Sequence, residues 1–286
     1  MLKQRIITAL ILLGALIAVT TSVNLLTFAG VAGALVLIGA WEWGAFASLT
    51  GFARGSFVAS LALSMVLLAA ALGIAGGDSF DVELALGISL LGTLFWSLMV
   101  AAIARYPEST DSWNDKSRIS VMGMIALLCT WLGLVALKAL LANGALVIMV
   151  VIMVAAVDVG AFFAGKWLGR RKLAPALSPN KTWEGVWGGV ALNLLVSIGF
   201  AAALNSYVKP FSLLEFVAFA GLALIAAFFA VIGDLVESML KRNCEIKDSG
   251  AILPGHGGLL DRIDGLMAAT PVSVAFLLVL LGELSA

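Results

Sequence analysis

The sequence predicts an all-α, polytopic membrane protein of about nine transmembrane helices with a cytosolic N-terminus. Only 12% of its 286 residues are charged while 62% are hydrophobic, and the mean hydropathy is +1.10. Soluble domains carry about 25% charged residues, so a soluble fold is excluded. Apolar runs of the roughly 20 residues that a helix needs to cross a bilayer recur along the whole chain. Basic residues divide unevenly between the connections, and that asymmetry sets the orientation.

The chain opens with Lys3 and Arg5 ahead of an apolar run from Ile6 to about Thr21. A secretory signal would begin the same way, but this run leads into further apolar segments and lacks a clear small-x-small cleavage site. It reads as the first span. Further spans are expected at about 25–47, 57–75, 84–104, 119–141, 145–164, 186–206, 213–235 and 260–283. Asn143-Gly144 marks one tight turn, and Asn205 to Ser212, with Pro210, marks another. With the N-terminus inside, fifteen Lys and Arg residues fall at cytosolic ends, and only Lys138 and Lys209 fall outside. The connection 76–83 has acidic residues and no basic ones, as an outer loop should. Cys129 lies in an apolar run and Cys244 in a polar one, so two unpaired thiols are expected.

One stretch stands apart, Gly233 to Asp264. It holds Asp234, Glu237, Glu245, Asp248, Asp261 and Asp264 with Lys241, Arg242, Lys247 and Arg262, the single histidine His256, and Gly257-Gly258. Asp234, Glu237, Ser238 and Lys241 follow i, i+3, i+4, i+7 spacing and share one helix face. Asp261 and Asp264 are three apart at the start of the ninth span and share another. Gly257-Gly258 sit just ahead of that helix, where free backbone N–H groups make an anion site. Carboxylates suit a hard cation, and Lys, Arg and amide donors suit phosphates; Mg²⁺ is held in this way by one or two carboxylates plus substrate phosphates. The combination points to phosphoryl or nucleotidyl transfer at the cytosolic face, against a salt-bridged loop that merely seals the bundle. His256 fits a phosphate ligand, a proton carrier or a loop-fixing hydrogen bond.

Two earlier segments add candidates. Asp158, near the cytosolic end of the sixth span, is costly at membrane depth unless paired or wet; the bland alternative is a partner for Lys166. Only Asp158 and Glu42 approach the bilayer interior. Gly160 to Lys166 imitates a P-loop, but Trp167 replaces the required Ser or Thr and no strand is expected before it. In Ser178 to Gly185 (SPNKTWEG), Thr182 is placed to cap the seventh helix with Glu184 in its first turn. Ser178, Lys181 and Thr182 are equally suitable phosphate donors. Arg170-Arg171-Lys172 suits anionic lipid at the inner leaflet.

These residues resemble the phosphatidate cytidylyltransferase (CDP-diacylglycerol synthase) family. The resemblance rests on Ser238-x-Leu240-Lys241-Arg242, Lys247-Asp248 and Pro254-x-His256-Gly257-Gly258-x-x-Asp261-Arg262-x-Asp264. Asp158-x-Gly160, Gly165-Lys166, Ser178-Pro179-x-Lys181-Thr182-x-Glu184-Gly185 and Gly233-Asp234-x-x-Glu237 resemble the family's other motifs in the same order. Trp41-Glu42-Trp43 is similar to a weaker family feature. The motifs cover roughly 158–264.

The resemblance implies about nine helices in one membrane domain over 1–286 and a homodimer in the inner membrane. Residues 1–144 would serve as scaffold and dimer contact, and 145–286 would carry the catalytic spans and loops. It implies the reaction of CTP with phosphatidate to give CDP-diacylglycerol and pyrophosphate, with Mg²⁺ and room for a second, monovalent cation such as K⁺, and no nucleic-acid partner. The residues expected to carry catalysis are Asp234, Asp261, Asp264, Lys241 and Arg262. Metal ligands would come from Asp234, Asp261 and Asp264, then Asp158 and Asp248. Substrate contacts would come from Ser178, Lys181, Thr182, Ser238, Arg242, Lys247, His256, Gly257 and Gly258. Which loop takes CTP and which takes phosphatidate stays open. The rival from another class is an ion-coupled transporter, which predicts inverted repeats, interrupted helices and charges at mid-bilayer; here nearly all charges gather at one face. An ether-lipid cytidylyltransferase and a non-catalytic sensor are the other two.

Overall fold

The computed structural model describes residues 14–74, 80–208, 210–250, 252 and 257–282, with residues 281 and 282 described by backbone only. The first half of the expected first span, residues 6–13, lies outside the described residues; its second half falls in a helix over residues 14–22 (α1). Then follow α2 (Leu25–Phe46), α3 (Gly51–Ala71), α4 (Val82–Ala104), a 3-10 turn (Thr110–Ser112), α5 (Lys116–Leu140) and α6 (Ala145–Leu168). A small hairpin, β1 (Lys172–Ala174) and β2 (Ser178–Thr182), precedes α7 (Trp183–Tyr207), α8 (Leu213–Asn243) and α9 (Leu260–Gly282). Eight of the described helices, α2 to α9, are long and apolar enough to cross a membrane.

The helix ends follow local chemistry. Asn24, Asp81, Thr182 and Ser212 cap α2, α4, α7 and α8 through side-chain oxygens that accept from the first turn. Ser212 and Glu215 complete a reciprocal capping box. Gly144, at φ +72°, makes the expected turn into α6. At the far end of α8, the Glu245 N–H donates to Arg242 and the Ile246 N–H to Lys241, with Glu245 at φ +54°. That is a Schellman closure with a non-glycine residue in the left-handed position.

α8 departs most from expectation. It runs 31 residues, about 46 Å at 1.5 Å per residue, against a hydrocarbon core of ~30 Å. It is longer than one crossing needs, and its last turns carry Glu237, Ser238 and Lys241 on helix rather than on loop. The 169–182 connection contains the antiparallel hairpin, with Lys172 opposite Thr182 and Ala174 opposite Ser178, a small exception to the all-α expectation.

Helix pairs approach through small residues, which is how apolar helices gain contact when lipid is as apolar as their side chains. On α6, Gly160 faces the backbone of Gly188 and Gly189 on α7, and Gly165 faces Gly185. Gly233 of α8 lies against the Asp264 carbonyl of α9. Polar side chains add interhelical bonds: the Trp43 indole donates to the Ile119 carbonyl (2.9 Å), Trp131 to Ala29 (2.9 Å), and the Asn193 amide to Ala223 (2.8 Å). Both cysteines are free.

A side chain at Gly160 would overlap the Gly188 carbonyl. Gly160→Leu is expected to destabilise the α6–α7 pair by about 1–3 kcal/mol, read as a lower melting temperature in detergent. An unchanged melting temperature would contradict this packing.

Candidate active site

The polar groups meet at one end of the bundle, where α2 and α8 finish and α9 begins. From α8, Asp234 ion-pairs with Lys181 of β2. One turn on, Glu237 (side chain 1% exposed) accepts from Lys241 at 3.0 Å, the i, i+4 pair that the spacing dictates. Lys241 (16% exposed) also reaches Asp261 of α9 at 2.8 Å, so the ammonium lies between carboxylates from two helices. Asp264, one turn beyond Asp261, lies near enough to Glu237, Asp234 and Asp158 to interact with them electrostatically. The two shared faces expected from spacing therefore face each other.

Asp158 of α6 opens onto a cavity of about 540 Å³ between α6, α7, α8 and the hairpin. Its lining mixes the polar Asp158, Lys166, Asn180, Lys181, Thr182 and Asp234 with apolar side chains such as Val157, Ala161, Phe162, Val186 and Val231. The basic groups that Asp158 feels are Lys181 and Arg262, while the Lys166 ammonium lies 5.9 Å from the Phe162 ring centre. The site thus has two joined parts, the cavity group (Asp158, Lys181, Asp234) and the clamp (Lys241, Glu237, Asp261), with Asp264 between them.

Several expected roles are revised. Asp261 is saturated as it stands: its oxygens accept from Lys241, from the Ser249 N–H (3.1 Å) and from the Gly258 N–H (2.8 Å). The Gly258 amide is thereby occupied, so the anion hole expected at Gly257-Gly258 is not built that way. The next two amides, of Leu259 and Leu260, are taken by Glu42 of α2 at 3.0 and 2.8 Å. Arg242 donates to the Leu177 carbonyl (3.1 Å), fastening the hairpin turn to α8. Thr182 caps α7 by accepting from Gly185 (3.1 Å). Arg171 is drawn into a 3.5 Å pair with Glu184. Lys247 and Asp248 are exposed, with Asp248 beside Gly257, while Ser178 and Ser238 are half-buried. His256 lies outside the described residues.

Glu42 and Asn180 were not assigned to the site from sequence. Glu42 had a signal, an ionisable residue inside an apolar span; Asn180 sits in a polar loop and had none.

Among the described residues, no three Asp, Glu, Cys or His side chains form a ready-made metal cluster. The charge balance nevertheless fits a hard cation. Asp158, Asp234, Glu237 and Asp264 lie within one another's electrostatic range, and carboxylate oxygens are the groups that hard divalent ions take. Asp261, already holding Lys241 and two amides, fits less well.

The sequence model of the cytidylyltransferase family matches residues 3–280. The chain belongs to that family. It is 44% identical over 279 residues to the phosphatidate cytidylyltransferase of Pseudomonas aeruginosa, covering 97% of both chains. It is 34% identical over 283 residues to that of Haemophilus influenzae, covering 95% of this chain and 96% of the other. A 114-residue segment is 46% identical to the Bacillus subtilis protein of the same name, covering 40% of each chain. A cytidylyltransferase must hold several phosphate charges in line and screen them from one another; Lys181, beside Asp158 and Asp234 in the cavity, is the basic group placed nearest those carboxylates.

Lys181 is the cation paired with Asp234 in the lining of the cavity. Lys181→Met is expected to lower turnover by about a hundredfold while the protein still extracts as a folded, monodisperse species. Activity within a factor of two of wild type would remove Lys181 from the site.

Proposed function

We propose that this chain is a phosphatidate cytidylyltransferase: it converts CTP and phosphatidate to CDP-diacylglycerol and pyrophosphate. What carries the reading is a family match over nearly the whole chain together with a carboxylate-and-lysine cavity at one end of a membrane bundle. A transporter would place its ionisable groups near mid-bilayer, whereas these gather where α2 and α8 end.

A phosphatidate phosphate oxygen attacks the α-phosphorus of CTP, and pyrophosphate leaves with the bond electrons. A phosphomonoester dianion is nucleophilic near neutral pH, so no strong general base is required. The chain then supplies position and charge. A lining that mixes apolar and charged side chains suits a lipid phosphate, so the cavity takes the phosphatidate head group. Lys181 holds its phosphate, Asn180 and Thr182 border it, and Arg262 faces the same space through Asp158. Asp158, Asp234 and Asp264 would hold Mg²⁺, which when bound would neutralise charge on the transferring phosphoryl group. The clamp of Glu237, Lys241 and Asp261 fixes the angle between α8 and α9, and so the separation of Asp234 from Asp264.

The charge asymmetry supports a cytosolic site: fifteen basic residues fall on the side of the polar stretch and two on the other. CTP is on that side, and the lipid head group reaches it from the inner leaflet. A homodimer through the N-terminal spans is part of the same proposal.

Purified protein incubated with labelled CTP, phosphatidate and Mg²⁺ is expected to move label into the lipid phase, with EDTA abolishing transfer and added Mg²⁺ restoring it. Failure with every phosphatidate offered would sink the activity; transfer insensitive to EDTA would sink the metal. Asp234→Asn is expected to lower kcat by a hundredfold or more, about the cost of losing one strong charge-stabilising contact, and near-normal turnover would exclude Asp234. Inside-out membrane vesicles should incorporate externally added CTP while right-side-out vesicles should not; the reverse pattern would invert the orientation.

A further inference from the structure

We infer that Glu42, on the second helix and remote in sequence from every catalytic motif, is a positioning residue for the reaction, acting through Ser249, Leu259 and Leu260 on Asp261 and Lys241. The inference rests on the proposed activity and adds a residue to it.

Glu42 is 2% exposed. Its carboxylate accepts from the Leu259 and Leu260 amides at 3.0 and 2.8 Å and from the Ser249 hydroxyl at 3.1 Å. A buried carboxylate answered by neutral donors is expensive to keep unless each bond is well made. This one stands at the N-terminus of α9, where the orphan amides and the helix dipole favour a negative group. It therefore supplies from α2 the cap that the α9 sequence does not provide at its own start.

The surroundings are shaped to this carboxylate. A Cβ at Gly250 or at Gly258 would overlap its oxygens, and Leu260 packs against Gly39, one turn back on the same face of α2. Trp43, the next residue, donates to the Ile119 carbonyl at 2.9 Å, which fixes α2 to α5 and so fixes the height of Glu42.

The residues Glu42 grips flank the bonds that set Asp261. Its oxygen takes the Ser249 hydroxyl while Asp261 takes the Ser249 amide; Asp261 also takes the amide of Gly258, the residue just before Leu259. Asp261 in turn holds Lys241 at 2.8 Å. A shift of the Glu42 cap moves Ser249 and Gly258 together, then Asp261, and Lys241 with it. Ångström-scale misplacement of such groups is costly to rate even when substrate affinity is kept.

The test is a double-mutant cycle on the full-length protein in detergent, with CTP and phosphatidate as substrates. Glu42→Gln keeps size but turns an N–H toward the α9 amides; it is expected to lower kcat by about tenfold to a hundredfold, the usual cost of losing a supporting contact behind a site, with KM for CTP within a factor of about two. Lys241→Gln keeps a donor between Glu237 and Asp261 and should lower kcat by itself. If Glu42 acts through Lys241, the double variant should be no worse than Lys241→Gln alone. Multiplicative losses, a Glu42→Gln loss matched by a fallen melting temperature, or no loss would each overturn the inference. If Glu42→Gln fails to extract folded, Ser249→Ala takes its place in the cycle under the same criteria. A wild-type protein without activity would instead sink the proposed function, whereas an active wild type with a multiplicative cycle would sink only the role of Glu42.

Discussion

An ammonium held between carboxylates from two helices is the interaction around which the polar end of this bundle is arranged. Lys241 bonds to Glu237 on its own helix and to Asp261 on the next. With side chains this little exposed, each charge is tolerable only while the others stay in place. That requirement fixes α8 against α9, and the close approach of Gly233 to the Asp264 carbonyl fits the same geometry. The other polar contacts hold the surrounding elements to this pair: Arg242 fastens the hairpin, Lys181 joins it to Asp234, and Glu42 secures the start of α9.

The apolar part of the chain makes such a site possible. α6 and α7 pack through facing glycines, leaving room beside them for a cavity lined by apolar and charged side chains together. α8 is longer than one crossing needs and carries Glu237, Ser238 and Lys241 in its last turns. An enzyme joining a water-soluble nucleotide to a lipid needs such a boundary: phosphate chemistry in a polar layer, acyl chains in an apolar one.

Trp41-Glu42-Trp43 joins the N-terminal spans, expected to serve as scaffold, to the elements around the site. The Trp41 carbonyl accepts from Arg54, whose guanidinium lies 4.5 Å from the Trp41 ring centre. Trp43 reaches α5, and Glu42 reaches the glycine-rich segment before α9. Three consecutive residues thus tie three different elements, and one of them enters the site.

By itself the sequence determined the class of fold, most of the spans, and the shared helix face of Asp234, Glu237, Ser238 and Lys241, because these follow from composition and from spacing along a single helix. It also determined the caps at Thr182 and the turn at Asn143-Gly144, which are local in the chain. The tertiary structure alone decided which amides are free. Gly258 looked available to a phosphate, yet its amide is taken by Asp261, and the Leu260 amide that follows is taken by Glu42, more than two hundred residues earlier. It also decided that Asp158 answers to Lys181 and Arg262 and that Arg242 serves a carbonyl. A hydrogen-bond donor has the same appearance in sequence whether vacant or occupied; its partner is set by which helices meet, and that depends on packing across the whole bundle.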